Sequence, residues 1–209
     1  MQVYTSPKGV LFDLDGVLID SKPAWYRVMQ RTAKHLGYPP LTYQDFHRTF
    51  GQGTQADQKQ FFPHHSSEEI SQFYSEVLLQ ELGAIKLIQG AIEVLAHLHA
   101  FNIHRGVVTN TSRDAAERIL QAKGLSDYID TLAAAGDARE KPAPDLLFLA
   151  VARLGLKPEQ VCYVGDSPTD VAAAQAADIP MVGFGIGAQI TITKLSELIN
   201  LLGLGNNSL

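Results

Sequence analysis

The chain of 209 residues has little cysteine: Cys162 is the only one. A single cysteine forms no internal disulfide, so the sequence excludes a small disulfide-stabilised scaffold and favours a reducing compartment, with the cytoplasm as the expected location. No apolar run approaches the ~18 residues that span a bilayer, and the polar start of the chain predicts neither a signal peptide nor a membrane anchor.

Positive charge is also scarce. Lys and Arg number 17 against 22 Asp and Glu, which leaves a net charge of −5 with His neutral. No long run of like charge occurs, so binding to nucleic acid or to an anionic membrane is not expected. What the chain does have is apolar content, because 45% of its residues are hydrophobic, and this predicts a sizeable packed core.

Short apolar strands alternate with helical stretches along most of the chain. The expected strands are 9–12, 105–109, 129–134, 161–165 and 180–184, and the expected helices among them are 91–100, 112–123 and 145–154. Strand and helix in turn predict an α/β fold with a doubly wound parallel sheet.

The segment 21–83 breaks this alternation, because it contains no convincing strand. Helices are expected there at 23–36, 43–50 and 68–82. The last of them is preceded by Ser66 with Glu69 three residues later, as in a capping box. We therefore expect two domains: an α/β core of residues 1–20 and 84–209, and a helical cap domain of residues 21–83 inserted after the first strand.

Two carboxylates leave the first expected strand together. Asp13 and Asp15 are two residues apart, so in extended chain both side chains point to the same side. Neighbouring carboxylates repel each other unless a cation lies between them or one is protonated, so the pair is typical of a metal site or an acid/base pair. The alternative is an ordinary turn at Gly16.

Other polar residues also stand where strands end or helices begin. Thr109 and Asn110 close a strand ahead of a helix, where they either cap that helix or bind an anion. Asp166 follows another strand, and Asp170 lies in the first turn of the next helix, where the helix dipole alone also favours an acid. Lys141 is stiffened by the prolines that follow it, and is either an ordinary surface lysine or a partner for the acids.

All of these residues fall at strand ends, where open parallel sheets bind their ligands, so one shared site is expected. In chain order the motifs are Asp13-x-Asp15-Gly16, Thr109-Asn110, Lys141-Pro142 and Gly165-Asp166-Ser167 continuing to Asp170. This combination resembles the haloacid dehalogenase superfamily of phosphohydrolases. The position of the helical segment is similar to the branch with a cap between the first two motifs, which includes phosphoglycolate phosphatases and β-phosphoglucomutases.

The resemblance implies roles for the acidic residues. It makes Asp13 the nucleophile that takes the phosphoryl group, and Asp15 the acid that protonates the leaving oxygen and later activates water. Mg²⁺, the implied cofactor, would be held by Asp13, the backbone carbonyl of Asp15 and Asp166. Asp170 would assist as a direct or water-mediated ligand.

The resemblance also implies roles for the remaining polar residues. Thr109 and Asn110 would position phosphate oxygens, and Lys141 would offset the charge on the nucleophile and in the transition state. In the glycine-containing part of the cap, Arg48 and Gln55 are candidate contacts for a substrate carboxylate or hydroxyl, with a plain flexible connector as the alternative. One departure is Trp25, which stands where relatives often have a histidine.

The expected activity is therefore Mg²⁺-dependent hydrolysis of a small phosphorylated metabolite through an aspartyl-phosphate, similar to that of the phosphoglycolate phosphatases. A phosphomutase similar to β-phosphoglucomutase is the alternative within the same class. A phospho-accepting signalling receiver and a binding protein without turnover are alternatives from other classes. The oligomeric state stays open between a monomer and a dimer.

Overall fold

The computed structural model describes residues 7–205, so the ends of the expected core domain lie outside the described residues. The strands are β1 (Gly9–Phe12), β2 (Ile19–Asp20), β3 (Lys86–Leu87), β4 (His104–Ser112), β5 (Thr131–Ala135), β6 (Val161–Gly165), β7 (Met181–Phe184) and β8 (Ile190–Ile192). The helices are α1 (Lys22–His35), α2 (Tyr43–Thr49), α3 (Thr54–Phe61), α4 (Ser67–Glu81), α5 (Ala91–Ala100), α6 (Arg113–Ala122), α7 (Asp145–Arg153), α8 (Pro168–Ala177) and α9 (Glu197–Leu201). Single 3₁₀ turns lie at Leu82–Ala84, Ser126–Tyr128 and Pro158–Gln160.

Six strands form one parallel sheet in the order β5-β4-β1-β6-β7-β8. The chain proceeds from central β1 to β4 and β5 on one side, then crosses back to β6 and continues outward on the other. Along β1, Val10 and Phe12 pack in one apolar cluster and Leu11 in a second, because successive side chains of a strand point to opposite faces. Apolar layers therefore cover both faces, and the predicted doubly wound α/β fold is confirmed.

The chain leaves the sheet for the helical segment through β2 and returns through β3, and these two strands pair antiparallel as a separate ribbon. Between them lie α1 to α4, in which α4 packs against both α1 and α3. The capping box of Ser66 and Glu69 at the start of α4 is confirmed. Helix α3 differs from expectation, because the sequence there suggests a glycine-containing connector.

One core strand is longer than its apolar pattern suggests. The expected strand ends at Thr109, whereas β4 continues to Ser112, with an irregular register between Val108 and Ser112. Thr111 consequently lies on the strand rather than at a helix cap. Within residues 7–205, no helix combines the length and hydropathy needed to cross a membrane.

Candidate active site

Strand register brings the polar residues to one edge of the sheet. Phe12, the last residue of β1, lies opposite Val107 of β4 and Val164 of β6. The residues that follow each of these positions therefore emerge side by side. A cavity of about 60 Å³ lies beyond this edge. Its core-side lining consists of Asp13, Asp15, Thr109, Asn110, Thr111 and Lys141.

Gly16 allows the chain after β1 to pass close to Asp166. The φ angle of Gly16 is +90°, and a Cβ atom placed there would lie 2.1 Å from Asp166 Oδ2. A side chain at this position would therefore combine an unfavourable backbone conformation with a direct clash. The Asp-Gly turn and the acidic cluster are thus parts of one arrangement rather than alternatives.

Three carboxylates form a compact acidic cluster. Asp13, Asp166 and Asp170 each have an oxygen within 4.8 Å of the others. Burial raises the pKa of Asp13 well above its usual range, even though the positive charge of Lys141 opposes this. Burial and the charge of Asp170 raise the pKa of Asp166 to about 6, although Lys22 lies 4.0 Å away. The cluster holds more negative charge than its neighbours neutralise, and its hard oxygen donors fit a divalent cation such as Mg²⁺.

Lys141 is a buried cation, only 3% exposed. Its Nζ lies 2.9 Å from Asp13 Oδ1 and 2.7 Å from Asp170 Oδ1, and it also donates to Val108 O and Tyr163 Oη. Burial lowers the pKa of Lys141, but the two carboxylates outweigh burial and hold the pKa above its usual value. The lysine is therefore not an ordinary surface residue, and it carries its charge directly beside Asp13.

Asn110 fixes the backbone of Lys141 and also reaches the helical segment. Its Oδ1 accepts a hydrogen bond from Lys141 N at 2.9 Å, and its Nδ2 donates to Lys141 O at 2.9 Å and to Gly51 O at 3.1 Å. Both polar atoms of this amide thus have protein partners. Its expected contact with phosphate stays a prediction.

Asp170 is completely buried, and both of its oxygens are occupied. Oδ1 accepts from Lys141 and from Tyr163 Oη at 2.6 Å, while Oδ2 accepts from Asp166 N and from N and Oγ of Ser167. Burial raises its pKa, but the charge of Lys141 and these hydrogen bonds prevail, so the pKa of Asp170 is lowered. This carboxylate therefore orients Asp166 and Lys141.

Asp15 is surrounded by donors from two parts of the chain. Oδ1 accepts from Ser21 Oγ at 2.5 Å and from Trp25 Nε1 at 3.0 Å. Oδ2 accepts from Thr111 Oγ1 at 2.8 Å and lies 3.5 Å from Thr109 Oγ1. These contacts fix the orientation of the carboxyl group, and Trp25 ties that orientation to helix α1.

Sequence reasoning did not assign roles to Ser21, Trp25, Thr111 or Tyr163. The pattern did contain a signal for Thr111, because it stands two residues after Thr109 and shares its strand face. Ser21 and Trp25 are four residues apart, the spacing that places two side chains on one face of a helix. Tyr163 is fully buried within β6, and nothing in an apolar strand distinguishes it as a hydrogen-bond partner.

Two expected substrate contacts are not brought to the cavity. Arg48 forms an ion pair with Asp45 on the exposed side of α2. Gln55 is exposed on α3, and neither residue lines the cavity. The cavity face of α3 instead presents Thr54 and Asp57.

Curated relatives of this chain are phosphatases. The chain is 31% identical over 194 residues to a phosphoglycolate phosphatase from Rhodospirillum rubrum, covering 87% of this chain and 80% of that protein. It is 32% identical over 182 residues to the validoxylamine A 7′-phosphate phosphatase of Streptomyces hygroscopicus subsp. limoneus, covering 84% of each chain.

Solved structures share the fold. A crystal structure of a mutant of CbbY from Rhodobacter sphaeroides in complex with xylulose-1,5-bisphosphate superposes with a TM-score of 0.82 at 22% identity, covering 92% of this chain and 96% of that one. The haloacid dehalogenase-like hydrolase family matches residues 10–184. The expected enzyme class, a phosphatase, is confirmed by the family match and the phosphatase relatives together. This chain belongs to the haloacid dehalogenase-like hydrolases.

Proposed function

We propose that this chain hydrolyses a small phosphate monoester through a phosphoryl group carried on Asp13, and that the reaction depends on Mg²⁺. The observation that carries the proposal is the placement of buried Lys141 against Asp13, with Asp15 and Asp166 at the same sheet edge. The phosphatase relatives support the reaction class. Their names cover more than one phosphate ester, so they do not by themselves assign a substrate.

The free oxygen of Asp13 is the attacking atom. Asp13 Oδ1 accepts a hydrogen bond from Leu14 N at 2.8 Å and lies 2.9 Å from Lys141 Nζ, whereas Oδ2 has no hydrogen-bond partner among residues 7–205. Oδ2 attacks phosphorus, the bond between phosphorus and the ester oxygen breaks, and the leaving oxygen keeps the electron pair. Lys141 stays protonated and offsets the charge that Asp13 and the phosphate bring together.

Asp15 supplies the proton to the leaving oxygen. Its hydroxyl neighbours can accept a hydrogen bond from a protonated carboxyl group, but the indole N–H of Trp25 can only donate. Oδ1 therefore remains an acceptor, and the proton is carried on Oδ2, beside Thr109 and Thr111. After the leaving group departs, Asp15 takes a proton from water that attacks the aspartyl-phosphate. The bond between phosphorus and Asp13 breaks, and inorganic phosphate is released.

The metal would be held by the side chains of Asp13 and Asp166 and by the backbone carbonyl of Asp15. A bound Mg²⁺ supplies positive charge that screens the carboxylate nucleophile from the phosphate dianion. Asp170 acts through its hydrogen bonds to Asp166 and Lys141. Overall, one phosphate ester and one water are consumed, and one alcohol and one inorganic phosphate are formed.

Residues 21–83 form a cap over this site, and the described residues before and after this segment form the catalytic core domain. The β2–β3 ribbon supports this division, because both crossings between the two parts run through it. Asn110 Nδ2 and Thr169 Oγ1 both donate to Gly51 O, so a turn of the cap closes one side of the cavity. A closed cap excludes bulk water, which strengthens the electrostatic interactions inside.

The proposal is tested by phosphate release from p-nitrophenyl phosphate with Mg²⁺. We expect Asp13→Asn to lower kcat by about a thousandfold or more, because the amide is not a nucleophile. Chelation with EDTA should suppress the wild-type rate, and added Mg²⁺ should restore it. Asp127→Asn is the matched control, since Asp127 is exposed and remote from the cavity.

Full turnover by Asp13→Asn would contradict the proposal. Release of phosphate without a bisphosphate activator separates hydrolysis from the phosphomutase alternative. A protein that accepts one phosphoryl group and then stops would instead match the receiver alternative.

A further inference from the structure

The cap side of the cavity contains no basic residue. Of the residues that line the cavity within the described chain, ten come from residues 21–83, and none of these is Lys, Arg or His. Most are apolar or small, including Trp25, Met29 and Phe46. The cavity's one lining cation, Lys141, belongs to the core and already faces Asp13 and Asp170. Among the described residues that line the cavity, the cap therefore offers no counter-charge to a negatively charged leaving group. The cap residue Lys22 does not line the cavity, and its Nζ lies 4.0 Å from Asp166 Oδ2 and 5.4 Å from the centre of the Phe50 ring.

One ionisable acid interrupts this apolar surface. Asp57 lies on the cavity side of α3 and is 8% exposed. Tyr74 Oη donates to Asp57 Oδ2 at 3.1 Å, and Oδ1 has no hydrogen-bond partner among residues 7–205. No described Lys or Arg forms an ion pair with it. The nearby charge that acts on Asp57 is that of another acid, Glu140.

When it is ionised, such a carboxyl group only accepts hydrogen bonds, so it prefers a ligand that donates them. Burial raises the pKa of Asp57 to about 7, with Glu140 adding to this and the Tyr74 hydrogen bond opposing it. A substrate carboxylate placed here would be a second anion in a cavity already lined by acids, without a cation to pair with. A hydroxyl or ammonium group would instead satisfy Oδ1, and the aromatic residues around it would pack on the carbon skeleton.

We propose that Asp57 selects the substrate, and that the preferred substrates are phosphate esters whose leaving group carries hydroxyl or ammonium donors rather than a carboxylate. This inference rests on the phosphatase function proposed above. It assigns to the cap a specificity-determining residue that differs from Arg48 and Gln55.

The test compares esters that share a carbon skeleton. Glycerol 3-phosphate and 3-phosphoglycerate differ at one terminal carbon, which is a hydroxymethyl group in the first and a carboxylate in the second. We expect wild-type kcat/KM to be about tenfold or more higher for glycerol 3-phosphate. Phosphoethanolamine tests the ammonium donor, and its rate relative to glycerol 3-phosphate shows which donor Asp57 prefers.

The decisive variant is Asp57→Asn, which keeps the size of the side chain. It should reduce the preference for glycerol 3-phosphate over 3-phosphoglycerate by about tenfold. Hydrolysis of p-nitrophenyl phosphate, which lacks both a donor and a carboxylate, should change less than the rate on glycerol 3-phosphate. Asp57→Ser provides a second variant should the first fail to fold, as judged by thermal melting. Glu76→Gln, an exposed acid on α4, is the control and should keep the wild-type preference.

The outcomes separate this inference from the proposed function. Suppose that p-nitrophenyl phosphate is hydrolysed in an Asp13-dependent reaction, but that wild type prefers 3-phosphoglycerate or that Asp57→Asn keeps the wild-type preference. The proposal that Asp57 selects the substrate is then wrong, and the phosphatase proposal stands. If no ester is hydrolysed at all, both are overturned.

Discussion

The core side and the cap side of the cavity, here called its two walls, differ in secondary structure and in residue type. The core wall consists of strand ends, and it carries two acids, a buried lysine and the threonines that contact Asp15, with the other two acids of the acidic cluster beside it. The cap wall consists of helix faces and a glycine-containing turn, and Asp57 is its one carboxylate. On the core wall most polar atoms other than Asp13 Oδ2 already have a protein partner, and on the cap wall Asp57 keeps one oxygen free.

This difference assigns the phosphoryl-transfer reaction to the core wall and the choice of substrate to the cap wall. A network whose members hold each other in place suits a reaction that every substrate undergoes, because the groups need no rearrangement when the ester arrives. An apolar wall with one unsatisfied acid does little for phosphoryl transfer, but it discriminates between leaving groups. Changes on the core wall should therefore affect all esters, and changes on the cap wall should affect some more than others.

Among the changes that test this contrast between the two walls, the largest effect is expected from Lys141→Met on the core wall. This change removes the charge beside Asp13 and leaves both Asp13 and Asp170 buried without their cation. We expect kcat to fall by about 10²–10³-fold on every ester, as when a preorganised charge partner is lost. Stability should fall by about 3–5 kcal/mol, because one partner of a buried ion pair has been removed.

Phosphate release and thermal unfolding measure these two effects. Lys34→Met is the matched control, since Lys34 is exposed on α1. A loss confined to some esters would contradict the division between the two walls. An unchanged melting temperature would show that the buried carboxylates do not need the lysine.

The second-largest effect is expected on the cap wall, where the stability change caused by Asp57→Asn should depend on pH. The pKa of Asp57 is raised from 3.8 to about 7 in the folded chain, so folding favours its protonated form. The stability that this proton provides is complete below the unfolded pKa and is lost as pH rises through about 7. Asp57→Asn has no proton to lose, so its stability relative to wild type should increase between pH 4 and pH 8, by about 2–4 kcal/mol.

Thermal melting at intervals across this pH range measures the difference between variant and wild type. Taking the difference cancels the titration of the core acids, which both proteins share. Glu76→Gln should show no comparable trend. A constant difference between Asp57→Asn and wild type would show that Asp57 is ionised throughout and has a partner in the folded chain.

The contrast between the walls also explains which residues were predictable from sequence. Parallel strands end at a common edge, so Asp13, Thr109 and Asp166 were grouped by strand boundaries alone, and β1 and β6 begin and end at the expected residues. No comparable rule orients the helices of the cap. The α3 sequence is mostly polar, so its periodicity does not distinguish buried Asp57 from exposed Gln55.

A third prediction tests the contact that joins the two walls. Trp25→Phe keeps an aromatic ring but removes the indole donor to Asp15 Oδ1. We expect kcat/KM for glycerol 3-phosphate to fall by about fivefold, the effect of losing one hydrogen bond. The p-nitrophenyl ester should lose less, because its leaving group departs without needing a proton. An equal loss on both esters would assign Trp25 a packing role only, through its edge contact with Tyr74.

The smallest effect is expected from Arg48→Ala. From sequence, this arginine is the natural candidate to bind a substrate carboxylate, because it precedes the glycine-containing turn of the cap. In the structure its side chain is 63% exposed and pairs with Asp45, and exposed ion pairs contribute about 0–1 kcal/mol. The variant should therefore keep kcat/KM within about twofold on every ester, including 3-phosphoglycerate. A selective loss on 3-phosphoglycerate would place a cation on the cap wall after all, and the contrast between a core wall that carries a lysine and a cap wall lined by no cation would not hold.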